Sequence, residues 1–312
     1  MRRYFPIILS FMVIAIAGYV VISKKHNKNI ATALKVQANN IGTFGVQRMC
    51  ARLPQFLKDL KIPQPVVIDL SQKRYKGIAL HYGKKLEKIL HPKQWERYEH
   101  FSTYALDEQG NLYLAPMPFI SIHPTTFNLQ KNIYKLDTKT GKLSIFMHFD
   151  DVLPSAENPF GINAIAYDCE DKTLWIAAID ESDYQSQKGV IYHIDPKTKT
   201  LLQRIEGFDV LTMKIIKSKK GKYLLVGSAR DNALYAYVVK NGQAEKVPEK
   251  LLELSSVNEH IRKIKIKSRN HLELQAIPFS YALIAQTAKK DRIYYDAFWN
   301  KKLQKWLVQK TK

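Results

Sequence analysis

Two cysteines in 312 residues are too few for a disulfide-stapled scaffold, and with no CxxC pair they cannot build a thiolate zinc cluster. Low-complexity tracts are missing too. With 46% apolar and 11% aromatic residues, the chain has the material for a large core rather than a disordered state. Acidic residues are scarce: 28 Asp and Glu stand against 49 Lys and Arg, a formal charge of +21. Such an excess favours anionic partners. Nucleic acid is not expected among them, because no zinc spacing, helix-turn-helix or RNP-type aromatic signature accompanies the charge. A Gly-rich phosphate loop, HExxH, GxSxG and an EF-hand loop are also lacking. Catalytic residues are therefore not assigned, no cofactor is expected, and the reading leans away from an enzyme.

A hydrophobic run long enough to cross a bilayer occurs at the N-terminus. Met1-Arg2-Arg3 precedes an uncharged stretch from Tyr4 to Ser23, and Lys24, Lys25 and Lys28 end it. Twenty residues match the hydrocarbon thickness. Ala15-Ile16-Ala17 resembles a signal-peptide cleavage site, but apolar Tyr19-Val20-Val21-Ile22 follows it, so residues 1–23 are expected to be an uncleaved anchor. Basic residues flank both sides, and the positive-inside rule discriminates little. A short basic head before the apolar run favours a body outside the cytoplasm, periplasmic or extracellular, over a cytosolic one.

Residues 24–60 read as a tether ending in a short helix. Met49, Leu53, Phe56, Leu57 and Leu60 recur at helical spacing between Arg48, Arg52, Lys58 and Lys61, before Pro63 and Pro65. Cys50 falls on that expected helix, far from Cys169, so two unpaired thiols are expected, with a bridge as the alternative in an exported domain.

From Pro65 onward the period changes to two, and an internal repeat emerges. Asn132-Ile133-Tyr134-Lys135-Leu136-Asp137 is echoed by Val190-Ile191-Tyr192-His193-Ile194-Asp195. Looser echoes are Ala233-Leu234-Tyr235-Ala236-Tyr237 and Arg292-Ile293-Tyr294-Tyr295-Asp296. A pair of β-rich runs precedes each. The units, roughly 101–149, 160–208, 209–256 and 259–310, are each the size of a four-stranded propeller blade. Three further runs, Val66–Leu70, Lys76–Tyr82 and Leu86–Leu90, add a divergent unit. The expected fold is an all-β propeller over 61–312 with five blades, or six if that last region splits.

The run from Phe160 through Gly161-Ile162-Asn163-Ala164-Ile165-Ala166-Tyr167-Asp168, followed by Lys172-Thr173-Leu174-Trp175-Ile176-Ala177, resembles the blades of NHL-type and gluconolactonase (SMP-30)-like propellers. For the gluconolactonase-like enzymes the resemblance implies a divalent metal, of the calcium or zinc class, held in the central channel by Glu, Asn and Asp side chains. Asn163 and Asp231 stand at suitable blade positions. No matching Glu or second Asn can be placed, so no metal ligand is assigned, and a hydrogen-bonding role on an inner strand is expected for Asn163.

In a four-stranded meander the second-to-third-strand loops open on one face, and here they are long. Long loops on a rigid frame concentrate binding residues. His123, Asp180, Glu181, Asp183, Arg230, Asp231 and Tyr281 are the candidates for a ligand-binding face. Tight turns on the opposite face carry Lys217, Lys219, Lys220, Lys222, Lys267, Arg269, Lys301 and Lys302, a basic surface suited to anionic membrane headgroups. The expected function is a membrane-anchored binding or scaffolding module for a protein or other ligand. The alternative is a metal-dependent hydrolase of lactonase or esterase type with its site in the channel.

Overall fold

The computed structural model describes residues 41–45, 47, 50–70, 75–118, 124–282 and 292–311. The expected anchor and most of the tether lie outside them. Among the described residues no helix is long and apolar enough to cross a membrane.

Alternating apolar runs form five antiparallel sheets. The first holds β1 (Val66–Asp69), β2 (Ala79–Tyr82) and β3 (Lys88–Leu90). The second holds β4 (Phe101–Leu106), β5 (Leu112–Pro116), β6 (Asn132–Leu136) and β7 (Leu143–His148). The third comprises β8 (Ile162–Asp168), β9 (Thr173–Ala178), β10 (Val190–Asp195) and β11 (Thr200–Glu206). The fourth comprises β12 (Val210–Ser218), β13 (Gly221–Ser228), β14 (Ala233–Lys240), and an outer strand in two pieces, β15 (Gln243–Ala244) and β16 (Glu249–Glu253). The fifth has β17 (Glu259–Ser268), β18 (His271–Pro278), β19 (Ile293–Asn300) and β20 (Lys305–Lys310). This is a five-bladed propeller, with the unit boundaries expected from the repeat.

The repeated Asp has a local cause. Asp137 and Asp195 accept backbone N–H groups two residues on, closing the outer turns, and Asp107 and Asp168 do the same in the inner ones. Apolar clusters then join neighbouring sheets from the first through the fifth. Among the described residues none joins the fifth back to the first. There, the fifth sheet presents Lys263, Lys265, Lys267 and Glu273, and Lys263 borders a cavity with Ile68, Asp69 and Leu70.

A second device repeats on the inner strands. In β4, β8, β12 and β17 a β-bulge turns one residue out of the ladder at the same place: Ser102, Asn163, Leu211 and Arg262. These residues link blades. Ser102 Oγ lies 3.5 Å from Asn163 O, Asn163 Nδ2 donates to Val210 O at 2.7 Å, and Arg262 Nη1 donates to Leu211 O at 2.9 Å. The hydrogen-bonding role expected for Asn163 is the one it has.

The segment before the first blade departs from expectation. Among the described residues of this segment, Phe56–Asp59 alone is helical (α1). Pro54 explains the change: its ring disfavours helical backbone at Leu53, and it has no N–H to donate. The segment forms a strap over the tight-turn face, crossing the blades in reverse order. Phe44 stacks on Trp306 at 5.5 Å, and its N–H donates to Arg269 O. Gly45 N–H donates to Lys217 O, Cys50 is disulfide-bonded to Cys169, and Arg52 N–H donates to Asp107 O. Phe56 N–H then donates to Thr138 O, and the Phe56 and Leu57 side chains enter the first-to-second blade core beside Trp95. Gly110 lets the strap pass: its φ is +89°, and a Cβ would meet Leu53 O at 2.7 Å. The unpaired thiols expected from sequence are thus a pair, brought together because the strap passes directly over the β8–β9 turn.

Between the third and fourth blades His193 is buried, its ring stacked on Trp175 at 3.9 Å and its Nε2 at 2.7 Å from Thr173 Oγ1. Burial drives its pKa from 6.5 down to about 4, against the pull of Asp168 and Asp171. The unfolded chain therefore takes up a proton that the fold refuses between pH 6.5 and 4. Stability should fall as pH drops through that window, by up to about 3 kcal/mol from this residue. Urea unfolding across that range should show this loss, and His193→Gln should flatten it relative to the parent.

Candidate functional site

Three blades build a recess on the long-loop face. Its walls are Tyr184 from the third, Ala229 and Arg230 from the fourth, and His260, Phe279 and Tyr281 from the fifth, enclosing about 410 Å3. Beneath it lies a small apolar cluster of Phe160, Ile179, Leu211, Ala229 and Tyr281. The aromatic rings meet edge to face, Tyr184 against Tyr281 at 5.5 Å and Phe279 against Tyr281 at 5.2 Å.

Arg230 is the central cation. Its guanidinium donates to the carbonyls of Asp183 and Tyr184 and stands 6.0 Å above the Tyr281 ring. Under it, Tyr281 donates its hydroxyl to Asp209 at 2.6 Å. Asp209 has no solvent exposure and also accepts from Ser182 Oγ at 2.6 Å and Gly189 N–H at 2.8 Å. Burial raises the Asp209 pKa, and the hydrogen bonds from Ser182, Tyr281 and Gly189 oppose the rise. Burial, then Asp209, pushes the Tyr281 hydroxyl well above the usual tyrosine range, so it stays a donor. His260 in the wall is buried, and burial holds it below its ordinary pKa. Tyr184 and Val257 are exposed at 67% and 74%, leaving aromatic and apolar surface at the mouth.

Of the face residues expected from sequence, Asp183, Arg230 and Tyr281 come together here. Asp183 contributes its carbonyl, since its carboxylate accepts from the Gln185 and Ser186 N–H groups. Asp180 is buried and accepts from Leu153 N–H at 2.6 Å, and Glu181 lies 3.6 Å from Lys188. Asp231 turns away to Tyr235, whose hydroxyl donates to it at 2.6 Å. His123 lies outside the described residues. Asp209, Tyr184, His260 and Phe279 were not foreseen as site residues. A tyrosine within the polar loop Asp180-Glu181-Ser182-Asp183 was the one available signal, whereas Asp209 looked like another acid of the connections.

Of the two positions named for the divalent-metal alternative, Asn163 donates its Nδ2 to Val210 O and keeps an unpartnered Oδ1 among the described residues, and the Asp231 carboxylate accepts from Tyr235 and from Ala233 N–H. Among the described residues, no three His, Cys, Asp or Glu side chains are placed to share an ion.

The expected basic face is less free than the charges suggest. Lys222 is only 13% exposed, 2.9 Å from Asp168 and 2.8 Å from Asp171. Lys217 pairs with Glu170 and Lys267 with Glu273. Lys219, Lys220, Arg269, Lys301 and Lys302 are exposed.

No family model and no curated protein matches the sequence. Several solved structures resemble it at low identity and low TM-score. A glucose dehydrogenase is 15% identical over 69% of this chain and 74% of its own, with a TM-score of 0.43. An acylaminoacyl peptidase of Pyrococcus horikoshii is 12% identical over 73% and 42%, at 0.36. The PQQ-bound aldose sugar dehydrogenase of Streptomyces coelicolor is 11% identical over 80% and 100%, at 0.29. Likeness of this degree concerns the fold and carries no chemistry across.

Tyr281→Phe should destabilise the protein by about 1–3 kcal/mol, because it leaves buried Asp209 short of a donor. Tyr184→Phe, altering an exposed hydroxyl, should stay within about 0.5 kcal/mol of the parent. Chemical denaturation of the two variants measures the contrast.

Proposed function

We propose that the protein is a binding module, anchored in a membrane by residues 1–23 with its propeller outside the cytoplasm, that takes a protein partner in the recess around Arg230. The observation that carries this reading is the convergence of loops from three blades on one cation bracketed by Tyr184, Phe279 and Tyr281. A guanidinium over aromatic faces suits an anionic or aromatic side chain, and Arg and Tyr are the residues that dominate binding energies at interfaces. The fixed donors and acceptors beneath keep the recess preformed, which lowers the ordering cost of association.

The disulfide supports the compartment, since such bonds persist outside the reducing cytosol. Lys219, Lys220, Arg269, Lys301 and Lys302 on the tight-turn face suit anionic headgroups. The likeness of Gly161–Asp168 and Lys172–Ala177 to NHL-type and SMP-30-like blades belongs to this proposal as a reading of ancestry only.

Two measurements in the producing cells check it. The full chain should remain in the membrane pellet through alkaline and high-salt washes, and deletion of residues 1–23 should release it; release of the intact chain would contradict the anchor. A photo-crosslinking residue at Val257 should give a discrete adduct that Arg230→Ala reduces several-fold. An adduct indifferent to Arg230 would remove the recess from the binding surface.

A further inference from the structure

Among the described residues the recess around Arg230 is lined by charge of one sign. No Asp or Glu borders it, and Arg230 is its one Lys or Arg. The acids of the neighbouring loops are engaged elsewhere. Asp183 and Asp209 feel the guanidinium, yet the first accepts from the Gln185 and Ser186 N–H groups and the second from Ser182, Gly189 and Tyr281. The Asp231 carboxylate accepts from Tyr235 and Ala233, and that of Glu259 from Lys310 and Tyr295. Arg230 gives N–H groups to two neutral main-chain carbonyls, of Asp183 and Tyr184, and its five-donor fork leaves others for a further acceptor. His260, buried in the same wall, keeps its Nδ1 unpartnered among the described residues.

That cation sits among apolar groups. It stands 6.0 Å above the Tyr281 ring, Tyr184 and Phe279 meet the same ring edge to face, and exposed Val257 and Pro278 complete the lining. A carboxylate is the planar group that a guanidinium holds with two parallel hydrogen bonds. Here it must arrive on a body that also covers aromatic and apolar surface. Successive side chains of an extended peptide point to opposite sides. An internal aspartate or glutamate would therefore send its neighbour's side chain away from the rings. The last residue of a chain carries its carboxylate and its side chain on one Cα, so both can enter together. The cavity, about 410 Å3, lies near the small end of the roughly 300–1,000 Å3 of ligand pockets, a size suited to one large residue.

With the recess taken as the binding site proposed above, we infer that it receives the carboxyl terminus of the partner, a chain end whose last side chain is aromatic or large and apolar. The N–H groups that Arg230 has left hold the terminal carboxylate, and the last side chain packs against Tyr184, Phe279 and Val257. Recognition then requires that the partner's end be free, so extension or amidation of that end removes binding.

Fluorescence anisotropy with the purified full-length chain tests this. The labelled probe is a short glycine–serine peptide ending in phenylalanine, compared as the free acid, as its C-terminal amide, and as a free acid ending in serine. The free acid ending in phenylalanine should bind about tenfold or more tightly than either of the others, which lack the charged hydrogen bond or the buried ring. Arg230→Ala should erase the preference for acid over amide. Val257 is 74% exposed, so Val257→Asp leaves the fold intact and adds a negative charge at the mouth. It should weaken the acid several-fold and the amide little, whereas Val257→Asn should keep the preference. Equal affinities of acid and amide, no binding of the acid, or a Val257→Asp loss shared by the amide would overturn the inference. Cross-linking at Val257 separates that failure from failure of the binding site. An Arg230-dependent adduct beside equal acid and amide affinities would keep the recess and discard the terminus, and an adduct indifferent to Arg230 would discard both.

Discussion

The tie between Cys50 and Cys169 fixes the strap, and the strap decides what each face of the ring can do. It crosses the inner turns of four blades, takes the carbonyls of Arg269, Lys217 and Asp107, and ends with Phe56 and Leu57 in the first core. Among the described residues the end blades share no apolar cluster, and the strap adds a link between them, from Arg269 of the fifth blade to the core of the first.

The blades were legible because each rests on local chemistry. Alternating apolar residues, an Asp closing the turns of the second and third blades and similar spacing gave four units and their boundaries, and weaker runs between 65 and 100 gave the fifth. The strap was not legible, for two reasons. Met49, Leu53, Phe56, Leu57 and Leu60 carry a helical period, yet Pro54 breaks it, and Leu53, Phe56 and Leu57 all pack into the one cluster between the first two blades. The cysteine pairing needs the fold, because Cys169 occupies a turn whose relation to Cys50 exists only once three blades are stacked.

Charge was the other partial success. Sequence placed acids on one face and lysines on the other, but the fold uses many of them locally. Asp180 and Asp209 hold loops from within, and Lys222 is buried among the acids of the β8–β9 turn. Arg230, Asp183 and Tyr281 meet because loops of three successive blades open on one face.

The strap's covalent tie is the claim on which the rest stands, and it can be read directly. Proteolytic peptide mapping of the full chain, purified from its own cells with thiols blocked at lysis, should yield one linked peptide joining Cys50 to Cys169, resolved into two by reduction. Recovery of both cysteines as blocked free thiols in the folded protein would contradict the account.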